Sequence, residues 1–297
     1  LTYRQSGGNV IIYGNNATLT KAKLEVLNDG SEFTMSAGTL TIVRGGGTTF
    51  GDLYLRPAAS SVTGGGIFFT QAPSAGSAIN TVQSYSMDAS IPLNNLTVTG
   101  TVNNTNLSLI VSPLVLNGSM TISNGQSSFL SNGKNVSLKG NMNNSGTYDY
   151  GTNKTTFDGS TQSVTGTSRT DFYDLVVSPV TSLTGNGNFV VFHDLEIASG
   201  NLLLNNGLVT LRGNLTNNGA YTDDNVTGGI NLQGSVQQAI SGTGSYGRLV
   251  LDNALGARIN NDIILQHDLV LTRGILDINK FQLTLSQNSL ISGASFN

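Results

Sequence analysis

The sequence predicts an all-β protein, a right-handed parallel β-helix (solenoid) with about 24–25 residues per coil. Three observations lead to this fold class. The chain repeats itself at a period of about 74 residues, its apolar residues alternate with polar ones in short runs, and glycine and asparagine separate those runs. No window of useful length has the periodicity of an amphipathic helix.

Two separate segments recur at nearly the same offset. Leu138–Tyr148 (LKGNMNNSGTY) returns as Leu211–Tyr221 (LRGNLTNNGAY). Phe192–Ile197 (FHDLEI) returns as Gln266–Leu271 (QHDLVL). A repeat of this length indicates stacked units that bury their apolar sides against their neighbours, and it divides into three coils of about 24 to 25 residues.

Within one period, short strands alternate with tight turns. Leu202–Gly213 is predicted to be a strand, an Asn-Gly turn, a second strand and a glycine turn. Because an Asn-Gly turn is also typical of an antiparallel hairpin, an antiparallel β-sandwich array is the alternative fold, but the long repeat favours the solenoid. The residues predicted to lie in the core are Leu175, Val177, Leu195, Ile197, Leu249, Leu251, Leu269 and Leu271.

The chain is predicted to be one elongated domain in two parts. Residues 1–65 form an irregular N-terminal part of the solenoid, and residues 66–297 form the β-helix repeats. An insertion is expected around 71–87, because about ten more residues separate Phe69 from Leu96 than separate the corresponding positions of the next copy. Since loops that leave a regular stack are free to vary, this insertion is the expected place for any specific recognition.

Composition excludes several classes of function. Charged residues make up 10% of the chain and the net charge is −3, so no basic patch for phosphate and no nucleic-acid partner are expected. The absence of cysteine excludes disulfides and thiolate chemistry. No stretch of about 18 apolar residues predicts a membrane span. No signal peptide is recognisable at Leu1, which indicates a mature or partial chain.

The repeated motifs carry a resemblance to a known class of proteins. Their order in the chain is Phe172–Val177 (FYDLVV), then Phe192–Ile197 (FHDLEI), then Leu211–Gly219 (LRGNLTNNG). This order resembles the β-solenoid repeats of very large secreted, adhesin-like proteins of Bacteroidetes-type bacteria, many of which carry a C-terminal sorting domain for type IX secretion. The resemblance covers residues 66–297 and implies an extracellular location, although no sorting domain is recognisable here.

The only two histidines, His193 and His267, are each followed by aspartate, which suggests a metal site or a catalytic dyad. As equivalent positions three coils apart, they should be roughly 14 Å from each other, too far to share one ion. We therefore expect a turn or strand-edge role, in which Asp194 and Asp268 cap local backbone donors.

The acidic residues offer two further candidate groups. Glycoside cleavage needs two carboxylates on one face of neighbouring coils, and Asp149, Asp158, Asp171 and Asp174 are the candidates, with Arg169 as the one hint of a lyase base. Asp223-Asp224-Asn225 could ligate Ca²⁺ through oxygen, although a solvated turn is favoured. No acid, base and nucleophile converge in the sequence, so we expect no enzyme, no catalytic residues, no cofactor and no metal.

Aromatic residues near loops could stack on sugars or pack in the core, and core packing is favoured. They are Phe68, Phe69, Tyr85, Tyr148, Tyr150 and Tyr221.

These features predict a rod-like extracellular segment of a bacterial surface or secreted protein that acts as a stalk or adhesin without catalysis. The alternative is a polysaccharide-binding or polysaccharide-degrading β-helix protein. Surface glycans, other cell-surface proteins, and end-to-end contacts with flanking domains or subunits are the expected partners. The sequence leaves the ligand, the choice between adhesin and passive spacer, the oligomeric state and calcium binding open.

Overall fold

The computed structural model describes residues 1–13, 22–43, 51–70, 82–100, 104–178, 182–185, 187–199 and 202–293. Within these ranges the regular structure is entirely β-strand, and the strands that follow one another through the stack pair in parallel. The prediction of an all-β parallel β-helix is therefore confirmed, while its right-handed winding stays a prediction. The residues form two compact units, Leu1–Asn153 with Gly166–Ser168 (unit 1) and Lys154–Thr165 with Arg169–Asn297 (unit 2).

Unit 1 has long coils at its N-terminal end and shorter ones later. Its strands are β1 (Thr2–Ile12), β2 (Leu24–Ile42), β3 (Leu53–Val62), β4 (Gly66–Thr70), β5 (Gln83–Ala89), β6 (Asn95–Thr99), β7 (Thr105–Leu109), β8 (Leu114–Leu116), β9 (Met120–Ile122), β10 (Ser127–Leu130), β11 (Val136–Leu138), β12 (Met142–Asn144) and β13 (Thr147–Asp149). The long strand β2 pairs with β1 on one side and with both β3 and β4 on the other. The spacing between paired positions shrinks along the unit, from Thr2 opposite Glu32 in β1 and β2 to Leu107 opposite Phe129 in β7 and β10.

The predicted insertion at 71–87 lies partly in this unit. Its last residues belong to β5, and Tyr85 and Met87 are buried there. The C-terminal part of the insertion is therefore core strand rather than loop, because alternate side chains of β5 point inward. Residues 71–81 lie outside the described part of the chain.

Unit 2 is built from three parallel sheets that the chain visits in turn. Its strands are β14 (Lys154–Phe157), β15 (Thr161–Thr165), β16 (Asp174–Val177), β17 (Ser182–Thr184), β18 (Phe189–Val191), β19 (Leu195–Ile197), β20 (Leu202–Leu204), β21 (Leu208–Leu211), β22 (Leu215–Asn217), β23 (Ala220–Thr222), β24 (Gly229–Leu232), β25 (Gln238–Ser241), β26 (Ser245–Tyr246), β27 (Leu249–Asp252), β28 (Ala257–Ile259), β29 (Ile263–Leu265), β30 (Leu269–Arg273), β31 (Leu276–Asp277), β32 (Leu283–Leu285) and β33 (Ile291–Ser292). Sheet I contains β14, β16, β19, β22, β25, β28 and β31. Sheet II contains β15, β17, β20, β23, β26, β29 and β32. Sheet III contains β18, β21, β24, β27, β30 and β33.

The coils of unit 2 are shorter than the sequence predicted. Leu195 lies opposite both Leu175 and Leu215, so that one coil spans about 20 residues, the separation that also joins Asp194 to Asn214. The coil from Leu215 to Ile240 is longer and has the predicted length. The predicted coil length is therefore wrong for most of this unit, because most of its corners leave only a few residues between strands.

The sequence repeat and the coil are consequently different units. From β19 to β30 the repeat covers eleven strands, whereas one coil covers three. Because eleven is not a multiple of three, repeat-equivalent strands lie in different sheets. Leu195 is in sheet I, and its equivalent Leu269 is in sheet III.

Alternating apolar side chains fill the interior of unit 2. Seven of the eight predicted core residues are buried, with at most 2% of each residue exposed. Leu271 is the exception and is half-buried. It pairs with Leu251 on one side, but the next strand β33 covers only Leu269 and Val270. Full burial of such a side chain contributes about 1.5–3 kcal/mol, so the C-terminal end of unit 2 gains less from burial than the central coils.

Candidate functional site

The cluster formed by Asp174, His193 and Asp194 lies at the corner where the chain passes from sheet III to sheet I. His193 and Asp194 occupy the turn between β18 and β19, and Asp174 begins β16 one coil earlier. His193 Nδ1 lies 2.6 Å from Asp174 Oδ1 and 3.7 Å from Asp194 Oδ2. The imidazole also stacks on the ring of Tyr173, with the centroids 5.1 Å apart. The stacking of one coil on the next thus places the histidine between two carboxylates.

This cluster favours the protonated form of its histidine. The hydrogen bond with Asp174 raises the pKa of His193 above its usual range, and the charges of Asp194 and Asp174 act in the same direction against an opposing effect of burial. The His193 side chain is 49% exposed, so water screens these charges. The cluster is therefore a solvent-facing ion pair that titrates above the ordinary histidine range.

Both aspartates of the cluster also cap backbone donors. Asp174 Oδ1 accepts the N–H of Asp194 at 3.0 Å, and Asp194 Oδ1 accepts the N–H of Asn214 at 2.7 Å. Asn214 continues the pattern by accepting the N–H of Ala239. The expected capping role of Asp194 is confirmed, but its donor lies in the next coil rather than in the same turn. Asp268 likewise accepts the N–H of Leu290.

The cluster has the atoms to hold a divalent cation. One nitrogen and two carboxylate oxygens lie within 4.8 Å of one another, a donor set that suits a transition-metal ion. An ion bound through His193 Nδ1 and Asp174 Oδ1 would replace the hydrogen bond between these two atoms, because both would turn toward the ion at about 2 Å. A proton therefore competes with a cation for this position.

The second histidine contacts a different aspartate. His267 lies between sheets II and III, with Nδ1 2.8 Å from Oδ1 of the fully buried Asp223. Asp223 also accepts the N–H groups of Asn225 and Arg248. The two histidines thus occupy different corners, and the expected column with a spacing of about 14 Å is wrong because the repeat does not contain a whole number of coils.

The turn at Asp223-Asp224-Asn225 is held by its own hydrogen bonds. Asp224 Oδ1 accepts the N–H groups of Val226, Thr227 and Gly228. These bonds hold the pKa of Asp224 far below its usual range. The geometry agrees with the favoured turn role, and calcium binding here stays untested.

The remaining acidic candidates have separate surroundings. Asp171 pairs with Arg169 and accepts the N–H of Val190, while Asp149 in unit 1 caps Gly151. Oδ1 of Asp158 is buried without a hydrogen-bond partner.

The structure brings the acidic candidate Asp174 close to the carboxylate of Asp194, a residue that the sequence predicts to be a cap. The sequence separation of Asp174 and Asp194 is the signal that predicts this contact. It equals the separation of Leu175 and Leu195, which lie opposite each other in the paired strands.

The aromatic candidates pack mostly inside. Phe69, Tyr85, Tyr148 and Tyr221 are at most 6% exposed, which confirms core packing for these four. Tyr148 stacks on Phe129 of the neighbouring coil, with centroids 5.8 Å apart. Phe68 and Tyr150 are half-buried.

No helix within the described ranges is long and apolar enough to cross a membrane. No protein-family model, curated protein or solved structure matches the chain. The expected relationship to adhesin-like secreted proteins is therefore unsupported by any relative, and the functional argument rests on the geometry.

Proposed function

We propose that this chain is a stalk or adhesin segment of an extracellular bacterial surface or secreted protein, and that it has no catalytic role. The proposal rests on the continuity of hydrogen bonding within unit 2. Among the described residues, each of its three sheets continues through six or seven parallel strands, so backbone ladders join neighbouring coils on three sides. A stack of this kind adds length with each repeat and needs only nearest-neighbour contacts.

Side-chain bonds reinforce the backbone ladders at the corners. Besides the Asp194 cap, Asn188 Oδ1 accepts the N–H of Leu208 and Asp262 Oδ1 accepts the N–H of Gln282, each in the next coil. These bonds run in the stacking direction and resist separation of coils. Such reinforcement suits a segment that holds other domains away from a surface.

Two measurements test the proposal. Intact cells that produce the native protein are treated with protease and stained with an antibody raised against this chain, and the proposal expects surface staining that protease removes. Detection of the protein only inside the cells would contradict it. Binding of the purified chain to a glycan array and to cells then separates an adhesin, which binds, from a passive spacer, which does not.

Polysaccharide cleavage is a second candidate because the carboxylates of Asp174 and Asp194 lie close together. Paired carboxylates about 5 Å apart are typical of retaining glycosidases. Incubation with acidic and neutral glycans tests this function. Cleavage that Asp174→Ala and Asp194→Ala each abolish, while Asp149→Ala retains it, would support an enzyme and overturn the non-catalytic proposal.

A further inference from the structure

Unit 1 buries a lysine against an aspartate of the neighbouring coil. Lys23 Nζ lies 3.2 Å from Asp52 Oδ1, with the two side chains 3% and 0% exposed. Lys23 immediately precedes β2 and Asp52 immediately precedes β3, and the first residues of these strands lie opposite each other. The pair therefore joins equivalent positions of two adjacent coils.

The other carboxylate oxygen of Asp52 has its own donor. The backbone N–H of Ser86 donates to Asp52 Oδ2 at 2.9 Å. The ring of Tyr85 lies on another side, with its centroid 5.9 Å from Lys23 Nζ. Burial, followed by the effect of the Asp52 charge, raises the pKa of Tyr85 well above its usual value, which indicates a site with little solvent screening.

Burial on this scale makes the charged forms of the lysine and the aspartate costly. Removing an ammonium and a carboxylate from water carries a large desolvation cost, and transfer of one proton from Nζ to Oδ1 removes both charges. The result is an uncharged, nucleophilic amine beside the carbonyl carbon of a carboxylic acid. Because the folded chain holds the two groups in contact, they react as if at very high concentration.

We propose that Lys23 and Asp52 form an intramolecular isopeptide bond. The Lys23 nitrogen attacks Cγ of Asp52, so that a C–N bond forms and the C–Oδ1 bond breaks. Oδ1 leaves as water, carrying the proton received from the ammonium and a second proton from the attacking nitrogen. The one proton left on nitrogen becomes the amide N–H, and no oxidant or reductant is needed.

The Ser86 N–H has a defined part in this step. Negative charge develops on Oδ2 while the tetrahedral intermediate exists, and a backbone N–H already aimed at that oxygen stabilises it. After water leaves, Oδ2 is the carbonyl oxygen of the new amide and keeps the same hydrogen bond. The bond closes the segment between residues 23 and 52, which restricts the unfolded chain as a disulfide does.

Mass spectrometry of the full chain under denaturing conditions tests the proposal. The expected mass is lower than the sequence mass by one water, about 18 Da. Trypsin should fail to cleave after Lys23 and should release a branched peptide that contains both residues. Lys23→Arg and Asp52→Ala should each restore the full mass, whereas Lys139→Arg, which changes an exposed lysine, should keep the loss.

A wild-type chain with the full sequence mass would overturn the proposal. A loss of water that maps to a linear peptide, such as a succinimide at Asp158-Gly159, would overturn it as well. Peptide mapping of the wild-type chain decides the question even if a variant fails to fold. Asp52→Asn provides an independent check, since attack on its amide should release ammonia and lower the mass by about 17 Da.

Discussion

Asp194 Oδ1 accepts the backbone N–H of Asn214 at 2.7 Å, so a side chain of one coil completes the hydrogen bonding of the next. In a helix, capping side chains act within their own turn. Here the stacked corners place the nearest unsatisfied donor one coil away, about 4.8 Å along the stack. The corner side chains therefore contribute to cohesion between coils.

Removal of this cap should weaken unit 2. Asp194→Ala leaves the Asn214 N–H without its acceptor and should lower the free energy of unfolding by about 1 kcal/mol in urea denaturation. Asp194→Asn keeps an acceptor oxygen and should cost less. Glu196→Ala, which removes an exposed acid of the adjoining strand β19, is the control, and equal effects of the two alanine variants would contradict a capping role.

The raised pKa of His193 should make stability depend on pH in one direction. Its folded pKa lies above the unfolded value of about 6.5, so the contribution is complete below that value and is lost as pH rises through the folded pKa. Across this range the melting temperature of the wild type should fall more than that of His193→Gln. A fall that is the same in both proteins would show that the ion pair adds nothing to stability.

The His193 imidazole itself should report the same ion pair in an NMR titration. Its midpoint should lie above the ordinary histidine value, and Asp174→Asn should lower it, because the hydrogen bond with Asp174 is the largest cause of the raised pKa. A midpoint that Asp174→Asn leaves unchanged would show that the hydrogen bond is not the cause.

Two glycines with positive φ should differ in their response to alanine. Gly274 has φ +87° and a Cβ there would collide with the backbone oxygen of Asn253, whereas Gly187 has φ +80° and open space around it. Gly187→Ala should cost about 1 kcal/mol for the left-handed backbone alone. Gly274→Ala should cost about 3 kcal/mol, because overpacking adds to the backbone cost. Urea denaturation measures both, and similar losses would contradict the collision.

A core truncation should be milder at Leu271, near the C-terminal end of unit 2, than at Leu251 in the preceding coil. Leu251 is fully buried and has paired strands on both sides, so Leu251→Ala should cost about 2–5 kcal/mol. Leu271→Ala removes a half-buried side chain and should cost less than half as much. An equal loss at the two positions would mean that further structure covers Leu271 in solution.

The sequence was sufficient for the fold class, because alternation and glycine-asparagine turns are local properties of each strand. Leu175 and Leu195 were placed in the core by that alternation alone. The number of residues per coil is not a local property of a strand, because it depends on how many residues each corner contains. The long sequence repeat does not predict the coil length. From β19 to β30 it covers eleven strands, whereas a whole number of coils would need a multiple of three.

The candidate cluster was missed for the same reason. A coil of about 24 residues does not bring Asp174 and Asp194 together. With the shorter coil that pairs Leu175 with Leu195, the contact follows directly. Burial of Lys23 had no sequence signal, because isolated lysines near strands usually face solvent.

Because the sequence repeat does not contain a whole number of coils, the two copies of the His-Asp-Leu motif lie at different corners of unit 2. His193 and Asp194 lie at the corner between sheets III and I, and their repeat equivalents His267 and Asp268 lie at the corner between sheets II and III. The two copies therefore do not form one row along the stack. A flat partner such as a membrane or crystalline polymer could engage one copy at a time, whereas a flexible ligand that winds around the protein could engage successive copies.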